Sequence, residues 1–193
     1  MNSTATDKRR QVLIPLLKDP AEEVRRAAAA ALETLEGAGS FDEVVELLKK
    51  GSLAEKVRAI HALGEIGGQR VMPPLLYCAT RPEVDLRAAA IDVLGRLGHP
   101  AALPVLKERL SDRNPGLIGK AIAALGNFSD PEIPALLRPF LDANDGLLEV
   151  EALRALAKTG DASLEDRFIS LLSSPYPLTR EAAADALGRL PLS

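Results

Sequence analysis

Tryptophan is absent from the 193 residues, phenylalanine and tyrosine number four and two, and the chain holds one cysteine, Cys78, and two histidines, His61 and His99. A single thiol forms no intramolecular disulfide and cannot build a four-thiolate metal site. Two histidines in different parts of the chain give no Ser-His-acid constellation, and no phosphate-cradling GxxxxGK loop occurs. Charge of one sign is lacking too: 24 basic against 27 acidic side chains leave a formal −3, without the broad positive field of an unspecific nucleic-acid or anionic-membrane binder. No apolar run reaches the roughly twenty residues of a membrane span, and MNSTATDKRRQ has no leader-like apolar core. A cytoplasmic address is the expectation. No catalytic residue, metal ligand or cofactor is assigned.

What is present is one pattern written six times. Leu32, Leu63, Leu94, Leu125, Leu156 and Leu187 follow one another at intervals of 31 residues without an insertion or deletion. Four residues before each of these reference leucines stands Ala28, Ala59, Ala90, Ala121, Ala152 or Ala183, and directly before it Ala31, Ala62, Val93, Ala124, Ala155 or Ala186. Small residues and a leucine at helical spacing describe a helix face that lies close against a neighbour. Nineteen and fifteen residues upstream are Leu13 and Leu17, Val44 and Leu48, Leu75 and Ala79, Leu106 and Leu110, Leu137 and Leu141, Phe168 and Leu172, an apolar i, i+4 pair for a first helix in every unit. A two-helix unit cannot bury its apolar side alone, so neighbours must stack. Cys78 falls in this register as a small buried hydrophobe.

These patterns predict an all-α fold, a solenoid of six two-helix repeats with a period of 31 residues, in one domain over 1–193. The units are about 8–36, 40–67, 68–98, 99–129, 130–160 and 161–192. Asp19-Pro20 should open a second helix that ends near Glu36, where Gly37 and Gly39 release the chain. Ser40 with Glu43 and Ser52 with Glu55 read as capping boxes. Pro15 and Pro139 should bend the first helices of units one and five. Gly116 and Gly119 should delay or fray the second helix of unit four.

The phrases VRRAAAAALETLEG, VRAIHALGEIG and LRAAAIDVLGRLG, each following a turn, resemble the short HEAT-like repeats of the phycobilin lyase type, over essentially the whole chain. The resemblance implies a right-handed α-α superhelix with first helices convex and second helices concave. Its enzymatic members do not transfer. A di-iron hydroxylase needs paired His-Glu motifs, whereas His61 and His99 precede Ala62 and Pro100. An alkylated-base glycosylase needs a basic, aromatic concavity. The resemblance also implies a ladder from a turn aspartate to an arginine six residues later. Asp19 with Arg25 keeps it, Arg87 and Arg180 keep only the arginine, and Asp112 with Ile118 and Ala143 with Glu149 should interrupt it at units four and five, which either loosens the packing there or leaves Ile118 and Leu147 exposed as a partner site.

Second-helix positions five before, two before and two after the reference leucine should point away from the core, Ala27, Ala89 and Ala182 among them. The residues expected to read a protein partner are Arg58, His61, Glu65, Asp92, Arg96, Lys120, Arg154 and Lys158; Glu151, Asp185 and Arg189 share their register. Three pairs, His61 with Glu65, Asp92 with Arg96 and Asp185 with Arg189, are four residues apart. The function expected is a non-enzymatic scaffold or adaptor that binds protein and neither nucleic acid nor membrane. The alternative is a subunit or chaperone-like component of a phycobilin lyase, with Arg58, Arg96, Arg154 or Arg189 on the propionates of a bilin.

Overall fold

The computed structural model describes residues 3–191, and their side chains other than those of 3–6, 33 and 36–39. The described residues form eleven α-helices and five short 3-10 segments, with no strand among them. The helices are α1 (Ser3–Leu13), α2 (Glu22–Lys50), α3 (Leu53–Ile66), α4 (Met72–Cys78), α5 (Val84–Leu97), α6 (Leu103–Arg109), α7 (Pro115–Leu125), α8 (Ile133–Leu137), α9 (Gly146–Ala157), α10 (Glu165–Leu171) and α11 (Pro177–Arg189). They fall into two compact units, Met1–Ile66 with α1 to α3 and Gly67–Ser193 with α4 to α11.

The phase holds at every second helix. Glu22, Leu53, Val84, Pro115, Gly146 and Pro177, the first residues of α2, α3, α5, α7, α9 and α11, each lie ten before a reference leucine. The six alanines four residues before the leucines are all buried, from Ala28 to Ala183. Cys78 is buried as well. Ile14–Lys18 and Arg138–Asp142 are 3-10 segments with Pro15 and Pro139 at their starts, so α-helical geometry stops at both prolines. Ring closure there removes a backbone donor and tightens the turn.

In the C-terminal unit the second helices touch through small residues. A Cβ built on Gly95 would lie 2.5 Å from Ala124 Cβ and 2.7 Å from its Cα, and one on Gly126 would lie 2.7 Å from Ala155 Cβ and 2.9 Å from its Cα. The residue after one reference leucine therefore meets the residue before the next, helix backbone against methyl. This contact explains why Ala124 and Ala155, directly before their leucines, are small.

Four expectations are corrected. First, α2 runs unbroken from Glu22 to Lys50, so it joins what were read as units 8–36 and 40–67, and Ser40 and Glu43 lie inside a helix instead of capping one. Glycines with positive φ follow the second helices four residues past the leucine at Gly67, Gly98 and Gly160. Glu36 holds that position in the first repeat, so α2 has no left-handed glycine stop there; α7 and α11 end without one too, with Ser129 and Pro191 at the position. Second, α7 starts in phase despite Gly116 and Gly119. The Asn114 side chain accepts from Gly116 N–H at 2.9 Å, and Pro115 occupies the first turn. Third, Leu17 and Leu172, read as core, are 41% and 39% exposed. Fourth, Ala89 and Ala182, read as outward, are buried.

Elsewhere the turn chemistry holds. Ser52 N–H and its hydroxyl donate to Glu55 Oε2 at 2.8 and 2.7 Å, a closed capping box at the start of α3. Those two bonds, the backbone one first, keep the Glu55 carboxyl below its ordinary range.

The ladder is built differently from its expected form. Arg25, Arg87 and Arg180 each donate through Nη1 to a carbonyl of their own turn, Asp19, Arg81 and Ser174 respectively, all at 2.7 Å. The turn side chain is irrelevant to that bond, which is why Arg81 and Ser174 are tolerated. Asp112 is not stranded by Ile118, since its Oδ2 lies 3.3 Å from Nε of Arg87 in the preceding repeat. In the fifth repeat the buried Glu149 accepts from the fully buried Thr179 hydroxyl of the sixth at 2.9 Å. Ile118 is half-buried and Leu147 half exposed, 50%. Thr179→Val keeps the shape and removes the donor to a buried carboxylate, so it is expected to cost about 2 kcal/mol in urea unfolding. A loss below about 0.5 kcal/mol would show that the bond contributes little.

A second ladder, on the first helices, was not anticipated. Lys107 Nζ reaches Asp130 at 3.1 Å and Glu132 at 2.6 Å, and 31 residues later Arg138 Nη2 reaches Asp161 at 2.8 Å and Ser163 at 2.6 Å. The equal spacings of 107 with 138 and of 130 with 161 are the signal that could have found it. Asp130 is held below its ordinary 3.8 by the Glu132 backbone N–H and then by Lys107. The Ser163 hydroxyl and then Arg138 do the same for Asp161. A carboxyl depressed on folding stabilises above its unfolded value and loses that contribution as pH falls through its folded one. Urea midpoints should therefore drop as pH is lowered from 5 through 3.8 and below, and Asp130→Asn with Asp161→Asn should flatten the drop. An unchanged slope in the double variant would remove these rungs from the account.

Candidate functional site

Steps of three and four residues place the positions five before, two before and two after each leucine on one stripe of a helix. In the N-terminal unit that stripe exposes Arg58, His61 and Glu65 on α3. In the C-terminal unit it exposes Asp92 and Arg96 on α5, Arg154 on α9 and Lys158 at the C-cap of α9, with Lys120 on α7 half-buried.

Adjacent helices, rather than one helix turn, supply partners for several of these charges. Lys120 Nζ lies 2.6 Å from Asp92 Oδ2, joining α7 to α5. Lys158 Nζ donates to Asn127 Oδ1 at 2.8 Å, and Asn127 Nδ2 donates to the Gly95 carbonyl at 3.2 Å, so a polar thread crosses from α9 to α5. Arg154 Nη1 is 3.4 Å from Glu151 on its own helix. Both members of the Asp92–Lys120 pair are over 40% exposed, so it adds well under about 1 kcal/mol to stability.

Arg154 and Lys158 come together with Glu151, Asp185 and Arg189, which the sequence had placed in their register but not among the residues expected to read a protein partner. A groove of about 260 Å³ opens over α9 and α11, and Glu151, Arg154, Lys158, Asp185 and Arg189 line it together with small residues such as Ala123 and Ala182. Between the charged residues its lining is alanine only, Ala155, Ala157 and Ala186 besides Ala123 and Ala182. Three cations and two carboxylates stand at its walls, so it can recognise charges of both signs and contains no nucleophile or metal-ligand set. Leu147 and Leu178, 50% and 62% exposed, lie in the first turns of the same two helices. Lys158 also borders a second depression of about 500 Å³ on the connection from α7 to α8. Asp92, Arg96 and Lys120 are not part of the groove lining. Among the described residues no group of histidine, cysteine and carboxylate side chains is placed to hold a metal ion, and no helix is long and apolar enough to cross a membrane.

Residues 10–86 and 72–149, well over half of the chain, match the family model for HEAT repeats. The chain is a HEAT-repeat protein. Solved structures agree with an all-α HEAT or armadillo-type solenoid. The HEAT-repeat chain is similar over 96% of its length to 74% of the E. coli protein YibA, at 19% identity and a TM-score of 0.62. A designed armadillo repeat protein in complex with the peptide (KR)4 aligns over 94% of this chain and 99% of its own, with 18% identity and a TM-score of 0.58. An engineered protein aligns over 93% and 95%, with 20% identity and a TM-score of 0.57. Identities this low establish the fold alone. No curated protein matches the HEAT-repeat chain.

Proposed function

We propose that this HEAT-repeat chain is a non-enzymatic interaction scaffold, its repeats acting as one array over 1–193, that holds a peptide segment of a partner protein along its second helices. The observation that carries the reading is the groove over α9 and α11, where Arg154, Lys158 and Arg189 stand beside Glu151 and Asp185 above an alanine floor. Small floor residues let a main chain approach, and mixed walls select a segment bearing both charge signs. The peptide complex of the designed armadillo neighbour supports the same use of a helical array. Arg58, His61, Glu65, Asp92, Arg96 and Lys120 would extend the recognition surface.

The phycobilin lyase reading is weaker. Of its four arginines only Arg154 and Arg189 line the groove, and there Glu151 and Asp185 would face the two propionates of a bilin.

A displayed random-peptide library panned on the whole chain should yield binders. Reversing Arg154, Lys158 and Arg189 to glutamate should weaken a selected peptide by about thirtyfold, roughly 2 kcal/mol. Reversing Glu46, Lys49 and Glu108, which lie on the first-helix segments, should change it by less than about threefold. Circular dichroism confirms folding of both variants. A larger loss in the second variant would move the working surface away from the groove.

A further inference from the structure

We propose that copies of this chain stack head to tail, the open face of α11 in one molecule receiving α2 of the next in the same phase that joins α5 to α7 and α7 to α9. Three positions in the sixth repeat carry the inference. Gly188 follows its reference leucine as Gly95 and Gly126 follow theirs, yet a Cβ on Gly188 meets nothing within 4 Å. Ala184 is exposed at the position where Ile91, Ile122 and Leu153 are fully buried. Arg180 stands where Arg87 stands and makes the same bond to its own turn, but Arg87 also has Asp112 of the following repeat beside it.

The complementary set is in the first repeat. Asp19 occupies the turn position of Asp112 and has its geometry: Asp19 Oδ1 accepts from Ala21 N–H at 2.9 Å, as Asp112 Oδ1 accepts from Asn114 N–H at 3.0 Å. The other carboxylate oxygen is then available to a cation, as it is in Asp112. Ala31 is half-buried, as Ala62 is, where Ala124, Ala155 and Ala186 are buried. Gly188 against Ala31 and Arg180 against Asp19 would repeat the Gly126–Ala155 and Arg87–Asp112 contacts between molecules. The two faces differ, so the contact is heterologous and continues past a dimer.

Sedimentation velocity of the whole chain from about 1 to 500 μM should show an average mass that climbs with concentration and passes the dimer. Gly188→Arg fills open space in the single molecule, so it should leave the thermal melt unchanged while weakening association at least about tenfold. Asp19→Arg and Arg180→Asp should each weaken it, and the two together should recover it. A mass that stays monomeric or stops at the dimer overturns the proposal. So does a Gly188→Arg variant that associates like the parent, or a double reversal no better than its single members.

Discussion

Ala121→Arg should lower the free energy of unfolding by more than about 3 kcal/mol in urea titration. Ala121 is fully buried on α7, an inner second helix of the C-terminal unit, which packs on α5, α6 and α9. One methyl fills the site. An arginine stem must either push two helices apart or leave its guanidinium buried without a partner, and each is costly. The loss would appear as a shift of the midpoint with the slope largely kept, because the exposed area on unfolding changes little. A loss below about 1 kcal/mol would mean that the fourth repeat is not packed in the common phase.

The second large effect separates three glycines of identical repeat position. Gly95→Val and Gly126→Val put a Cβ within 2.7 Å of a neighbouring alanine Cβ, with that alanine's Cα within 2.9 Å. Backbone lies behind the methyl, so a rotamer change gives no relief, and each substitution should cost about 3 kcal/mol. Gly188→Val meets nothing and should stay within about 0.5 kcal/mol of the parent. Equal losses at all three would attribute the effect to valine's helix propensity instead of interhelical contact, and would remove the close approach from the account.

Most of the fold was legible because one period carries it. Six leucines at a constant interval fix the starts of six second helices, and the buried alanines follow. The failures have local causes. A glycine pair at 37 and 39 looked like a break, but the position that carries a left-handed glycine after α3, α5 and α9 is Glu36 in the first repeat, and α2 runs through. Gly116 and Gly119 looked like weakness. Gly116 is instead the donor to the Asn114 cap, and a Cβ on Gly119 would sit in ordinary contact with Glu151 and Leu147 of α9.

The site was legible as a register and not as a set of partners. Helical spacing put Asp92 near Arg96, whereas Lys120 on the next helix supplies a 2.6 Å ion pair. Distances between neighbouring helices depend on how small the floor residues are, and a pattern within one helix cannot express them. The same reason hid the grouping of Asp185 and Arg189 with Arg154 and Lys158 in one groove.

The account's central claim is that the second-helix stripe of the C-terminal unit is the working surface. The most direct measurement places a photo-crosslinking residue at Ala123 on the groove or at Glu108 on α6, and maps the adducts formed with a library-selected peptide by mass spectrometry. Crosslinks from the Ala123 position, with none above background from Glu108, are the predicted result. Strong crosslinking from Glu108 with none from Ala123 would contradict it and move recognition to the first helices.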